Sequence, residues 1–179
     1  MDASEVLNFW FTTLKSKDWF AKNPMLDKQI KDRFYDVHSR AQEGELFGWR
    51  SSAEGRLAEI IILDQFSRNI FRDSPEAFAN DNLALVLSQE MVLGGWDQKI
   101  PIERRAFVYL PYMHSESRLI HDQAVQLFNQ KGLESNYDYE LKHKSIIDRF
   151  GRFPHRNQIL QRPSTAEEIE FLKGPGSSF

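Results

Sequence analysis

Apolar residues recur along this chain at three- and four-residue steps, the spacing of one helix face. Val6, Leu7, Phe9, Trp10 and Leu14 follow Ser4, read as a polar cap, and predict a first helix. After an aromatic loop at Asp18, Trp19 and Phe20, Pro24 opens a second stripe through Leu26, Ile30, Phe34, Val37 and Ala41, which ends before Gly44. Ser51 or Ser52 caps a third helix that reaches about Arg68, and Pro75 opens a fourth that Gly94 and Gly95 stop. Pro101 opens a fifth through Ala106, Phe107, Leu110 and Met113, and Ser117 caps a sixth that ends near Gly132. A seventh spans about residues 136–150, and Ser164 begins a last amphipathic turn or two. Pro111 lies inside the fifth pattern, so that helix is predicted to kink or end near Tyr109 and to redirect residues 113–116.

No alternating strand pattern competes with these stripes, and the links between them are short. An all-α fold follows, with about seven to eight helices packed as antiparallel hairpins. At 179 residues the chain suits a single domain, expected over residues 1–173 with a frayed tail at 174–179.

The informative residues are the polar ones that interrupt an apolar face. Leu57, Ile61, Asp64 and Arg68 are spaced by four, three and four, so the acid and the guanidinium continue the stripe and are expected to be buried. A buried charge needs a partner, which predicts that Asp64 and Arg68 pair with each other or with groups on another helix. Phe107, Leu110 and His114 repeat the pattern if the fifth helix survives Pro111, and His143 lies one turn before Ile147. Gly151 then breaks the seventh helix inside the run RFGRFPHR, residues 149–156. There Arg149, Arg152, His155 and Arg156 supply donors, Phe150 and Phe153 supply anchors, and Pro154 stiffens the backbone. Such a segment is suited to holding guanidinium forks against carboxylates or an anionic ligand.

Three blocks of residues, ILDQFSRNIFR at 62–72, YLPYMHSE at 109–116 and HKSIIDRFGRFPHRN at 143–157, together resemble the bacterial domain-of-unknown-function family 924. The resemblance covers most of the chain. It implies an all-α fold with helix hairpins of tetratricopeptide (TPR-like) type, and no known activity. Its polar pattern falls on Asp64, Gln65, Arg68, Asn69, His114, Ser115, Glu116, His143, Arg149, Arg152, His155, Arg156 and Asn157. Ser67 stands where the family often has proline and Ser145 where it often has an acid, which puts a role for an acid at 145 in doubt for this chain.

Composition narrows the chemistry. No cysteine is present, which excludes disulfides, thiolate catalysis and cysteine-ligated metals and suits a reducing compartment, with cytoplasm as the default. The net charge of −3 offers no broad positive field, so no nucleic-acid partner is expected. The start, MDASEVLNFW, is acidic, and no aliphatic run, that at residues 60–63 included, is long enough to cross a bilayer, so neither a signal peptide nor a membrane span is expected. No two histidines have the four-residue spacing of a helical metal pair, so no metal ligand is assigned, and a metal held by His114, His143 or His155 with a carboxylate stays open. The dipeptide His121-Asp122 matches that of metal phosphohydrolases but lacks the further ligands they need, and reads as coincidence.

Three readings stand. In the first, the cluster is a satisfied structural network. In the second, Asp64, Gln65, Arg68, Asn69, Arg149, Arg152, His155 and Arg156 bind a small phosphate- or carboxylate-bearing molecule, with His114, Glu116 and His143 as candidates for proton transfer. In the third, the chain is a helical module for a protein partner, and its polar cluster is purely structural. No cofactor is assigned, and binding and catalysis both stay open.

Overall fold

The structure of the protein, a computed structural model, describes residues 1–178; Phe179, the end of the expected tail, lies outside the described residues. Helices α1 (Ala3–Asn8), α2 (Ser16–Trp19) and α3 (Pro24–Gln42) come first. Asp2, rather than Ser4, caps α1: its carboxylate accepts from Glu5 N, and Glu5 returns a bond to the Asp2 amide. A π turn, Phe9–Thr13, then carries Phe9 and Trp10 into the core. Asn23 caps α3, with Pro24 in its first turn, and the predicted stripe Leu26, Ile30, Phe34, Val37 and Ala41 is buried.

Ser52 caps α4 (Ala53–Ile61), which passes through a second π turn, Ile62–Phe66, into α5 (Ser67–Ile70). Pro75 does not open a long helix. It starts a 3-10 turn, Pro75–Phe78, and α6 (Asp81–Leu93) begins only after Asn80. Helices α7 (Ile102–Met113), α8 (Arg118–Phe128), α9 (Glu134–Phe150) and α10 (Ala166–Phe171) complete the chain. No strand occurs among the described residues.

Pro111 neither ends nor diverts α7, contrary to the expectation from its missing N–H. It sits near the C-terminus, where His114 N still donates to the Leu110 carbonyl at 3.0 Å and closes the last turn. Burial of every residue from 106 to 113 holds the helix together. The Ser88 hydroxyl of α6 adds a bond to the Val108 carbonyl. His114 therefore follows the helix axis at its very end.

Helix α6 packs on α7, α7 on α8 and α8 on α9, while α4 touches α1, α6 and α7. Around α4 an aromatic set fills the main core, with Phe9 and Phe34 rings 4.9 Å apart, Phe34 and Phe66 4.8 Å, and Trp10 and Phe107 5.8 Å. Ile146, Ile147 and Phe153 form a second cluster under the late segment. Gly151, at φ 71°, adopts the left-handed conformation that stops α9 and turns the chain back toward α7. In the expected tail, Ser177 is buried and its hydroxyl donates to the Leu172 carbonyl at 3.2 Å.

Candidate functional site

The polar network is built from Asp64 outward. The π turn Ile62–Phe66 carries Asp64 into the interior, where it is only 1% exposed. A π turn widens the helix by one residue and re-aims the side chains it carries, a device common at functional sites. His114 at the end of α7 meets the acid, Nδ1 to Oδ1, at 2.7 Å. Arg68, one turn on, lies 3.2 Å from the same oxygen and donates to the Asp64 carbonyl at 2.7 Å; Gln65 donates to Oδ2. The expected pairing of Asp64 and Arg68 is present.

Arg68 also forms a two-pronged pair with Asp81 at 2.9 and 3.2 Å, and Arg156 donates to Asp81 at 3.1 Å and to the His114 carbonyl at 3.2 Å. Arg156 is sandwiched between the rings of Phe78, 4.6 Å away, and Phe153, 4.7 Å away. One carboxylate thus ties the end of α5 to the late segment. On the far side of His114, Glu116 accepts from the Phe153 amide at 2.8 Å and from both prongs of Arg162 at 2.6 and 2.9 Å.

These groups surround a cleft of about 230 Å³ whose lining includes Phe78, Asp81, His114, Ser115, Glu116 and Arg156. Among the described residues no partner reaches His114 Nε2, while its side chain is 15% exposed. The residue lines the cleft with that nitrogen uncommitted. Burial pushes the Asp64 pKa up, but His114, Arg68 and Gln65 outweigh it and hold the carboxyl well below the usual range. For His114, burial and the Arg68 charge lower the pKa more than Asp64 raises it. At neutral pH the pair is therefore a carboxylate and a neutral ring. Nδ1–H donates to Asp64, and Nε2 presents a lone pair.

The other expected site residues divide. Asn69 is turned away and donates to Asp27 at 2.8 Å, beside Arg72, which grips the same acid at 2.6 Å. Arg149 pairs with Glu167 at 2.8 Å, and Arg152 forms two bonds to Glu168 at 2.7 and 2.8 Å, so both hold α10 rather than line the cleft. Asn157 is buried and donates to Ser164 and Glu168 at 3.1 and 3.3 Å. His143 donates to the Tyr139 carbonyl at 2.8 Å and packs on Phe153, as does His155; burial lowers their pKa values to about 3 and about 4. Neither lines the cleft.

Sequence reasoning missed Asp81, Arg162 and Glu140. Arg162 lies off any apolar stripe and gave no signal, whereas Asp81 shares the α6 face of buried Ala84, Ser88 and Met91, and Glu140, His143 and Ile147 share one face of α9, so both acids could have been found as Asp64 was. Among the described residues no group of three or more His, Cys, Asp or Glu is placed to hold a metal ion. No helix among them is long and apolar enough to cross a membrane.

Residues 6–176 match the model of a family described as bacterial proteins of unknown function, DUF924. The chain belongs to this family. A solved structure of a protein of unknown function from Agrobacterium tumefaciens is 38% identical and superposes with a TM-score of 0.92, covering 96% of this chain and 97% of that one. No curated protein matches. In this DUF924 chain the chemistry on offer is that of the cleft residues themselves.

Proposed function

We propose that the cleft binds a small molecule carrying a hydroxyl or N–H group, and that His114 Nε2 accepts the proton of that group. The observation that supports this is the half-satisfied ring. Asp64 fixes the tautomer through Nδ1 at 2.7 Å, and Nε2 of this cleft-lining residue has no protein partner among the described residues. A ring held by a buried carboxylate with its second nitrogen bare is oriented for general-base work.

Charge balance speaks to the ligand. The arginines predict an anion when read along the sequence, but each is opposed in the fold. Arg68 faces Asp64 and Asp81, Arg156 faces Asp81, and Arg162 faces Glu116. Three guanidiniums meet three carboxylates, and no positive charge is left over for a phosphate. Entry of a dianion would have to displace Asp81 from Arg156 or leave net negative charge in a site with little water to screen it. The proposed ligand is therefore uncharged overall, with its apolar part against Phe78 and Leu160 and its protic group at His114.

The same balance favours a second reading, in which the network only fixes how the late segment docks on α5 and α6. A thermal-shift screen of the full chain separates the two, using uncharged alcohols, amides and nitrogen heterocycles beside phosphates and carboxylates. Saturation at one hundred times the dissociation constant adds about 2.7 kcal/mol, which is roughly 2–4 °C for each kcal/mol in a chain of this size. A saturable shift with an uncharged compound, lost in His114→Gln, is the expected result. Shifts with phosphates alone would overturn the ligand class, and none in either panel would leave the structural network.

A further inference from the structure

A second histidine–carboxyl pair stands behind the cleft. His121 of α8 and Glu140 of α9 are both 0% exposed, and Nδ1 lies 2.6 Å from Oε1. The other ring nitrogen, Nε2, is 2.8 Å from the carbonyl of Ser115, in the turn that carries His114 and Glu116. A carbonyl can only accept, so Nε2 bears a hydrogen. A carboxylate and a bare Nδ1 would both be acceptors, so a proton must also lie between Nδ1 and Glu140. The buried pair holds one proton more than a neutral ring and a carboxylate would.

The surroundings locate that proton. Oε2 of Glu140 is buried with no hydrogen-bond partner among the described residues, which is far more costly for an ionised carboxylate than for a neutral acid. The charged neighbour Lys144 of α9 is committed elsewhere, to Asp122 at 3.0 Å and Asp148 at 2.8 Å. His143, also on α9, stays neutral, and the apolar ring of Phe153 faces His121 from the late segment, 6.1 Å away. Burial pushes the Glu140 pKa up more than His121 and Lys144 pull it down, in agreement with this placement.

We propose that Glu140 and His121 are a positioning pair. Glu140, as a carboxylic acid, donates to His121 Nδ1, and His121 Nε2–H clamps the Ser115 carbonyl, fixing the turn that presents His114 and Glu116 to the cleft. The role of the turn rests on the reading of His114 given above. The clamp itself is tested on the ligand-free protein, so the two fail separately.

Long-range ¹H–¹⁵N spectra of the full chain at neutral pH report which nitrogens carry protons. One protonated nitrogen, Nε2, and one bare nitrogen, Nδ1, are expected for His121, the opposite of His114. Two protonated nitrogens would put the proton on the ring and overturn the carboxylic-acid assignment. Glu140→Gln keeps a donor toward Nδ1 and should leave the backbone signals of residues 114–116 in place. His121→Phe keeps the ring volume and loses the clamp, so those signals should move and the His114 titration midpoint should shift. Unchanged signals in a folded His121→Phe protein would overturn the clamp; if that variant does not fold, Glu140→Leu puts the same question, because it removes the donor that fixes the ring's tautomer.

Discussion

Asp64–His114 and Glu140–His121 are nearly the same length, 2.7 and 2.6 Å, and each joins a carboxyl oxygen to Nδ1, yet their protons run in opposite directions. In the first pair Arg68 and Gln65 take the remaining capacity of Asp64, so the acid is ionised, Nδ1 donates and Nε2 is left bare. In the second, nothing among the described residues meets the second oxygen of Glu140, so the acid keeps its proton, Nδ1 accepts and Nε2 donates to Ser115. Neighbours, not bond length, decide the tautomer. One histidine thereby lines the cleft with a bare Nε2, and the other is spent on holding the turn between α7 and α8.

The largest effect expected of a single substitution breaks the first pair. Asp64→Asn removes the charge opposite Arg68 while leaving the shape, and should cost about 3–5 kcal/mol, the range for stranding one member of a buried pair. Urea denaturation measures it. A midpoint within error of the parent would show that Asp81 alone satisfies Arg68, and the contrast between the two pairs would collapse.

Next is the response to acid. Folded His38 and His155 have pKa values lowered to about 4 and His143 to about 3, against an ordinary 6.5. Unfolded chains therefore take up protons that the folded chain refuses. The stability these rings contribute is whole above about pH 6.5 and is lost as pH falls toward the folded values, by up to about 1.4 kcal/mol per pH unit for each ring. The two carboxyls have opposite signs. The contribution of Asp64, whose pKa is lowered, is lost only as pH falls below the ordinary aspartate range, whereas that of Glu140, whose pKa is raised, is lost as pH rises through its folded value. Urea midpoints that stay level from pH 6.5 down to 4 would contradict the buried neutral rings.

Glu140→Gln tests the second pair on a smaller scale. If the acid is already protonated, the amide replaces it donor for donor, and stability near neutral pH should change by less than about 1 kcal/mol. It should also remove the decline with rising pH that Glu140 imposes. A loss as large as that of Asp64→Asn would mean that Glu140 carries a charge.

What could be read in the sequence follows from periodicity. Asp64 and Arg68 announced themselves because they continue a stripe begun by Leu57 and Ile61, and His114 did so once α7 ran through Pro111. Their partners were less legible. Asp81 continues the buried face of Ala84, Ser88 and Met91 on α6, a stripe too weakly apolar to stand out, and Arg162 reaches Glu116 across 46 residues of chain from a position outside any apolar pattern. Charge balance is a property of the assembled site, and arginines counted along the chain carry no sign of the carboxylates that oppose them in space.

The smallest effect concerns RFGRFPHR itself, which the fold divides in two. Arg156 lines the cleft, whereas Arg149 lies at the surface against Glu167, with more than half of each side chain exposed, and over the ring of Phe150 at 4.7 Å. Solvent screens such a pair, and holding two long side chains in one geometry costs entropy, so Arg149→Ala should change stability by about 0.5 kcal/mol or less. The His114 resonances should not move at all. A shift of the His114 titration in Arg149→Ala would mean that the two halves of the segment are coupled through Phe153, and that the arginines act as one unit, as the sequence suggests, rather than as the two separate anchors seen in the fold.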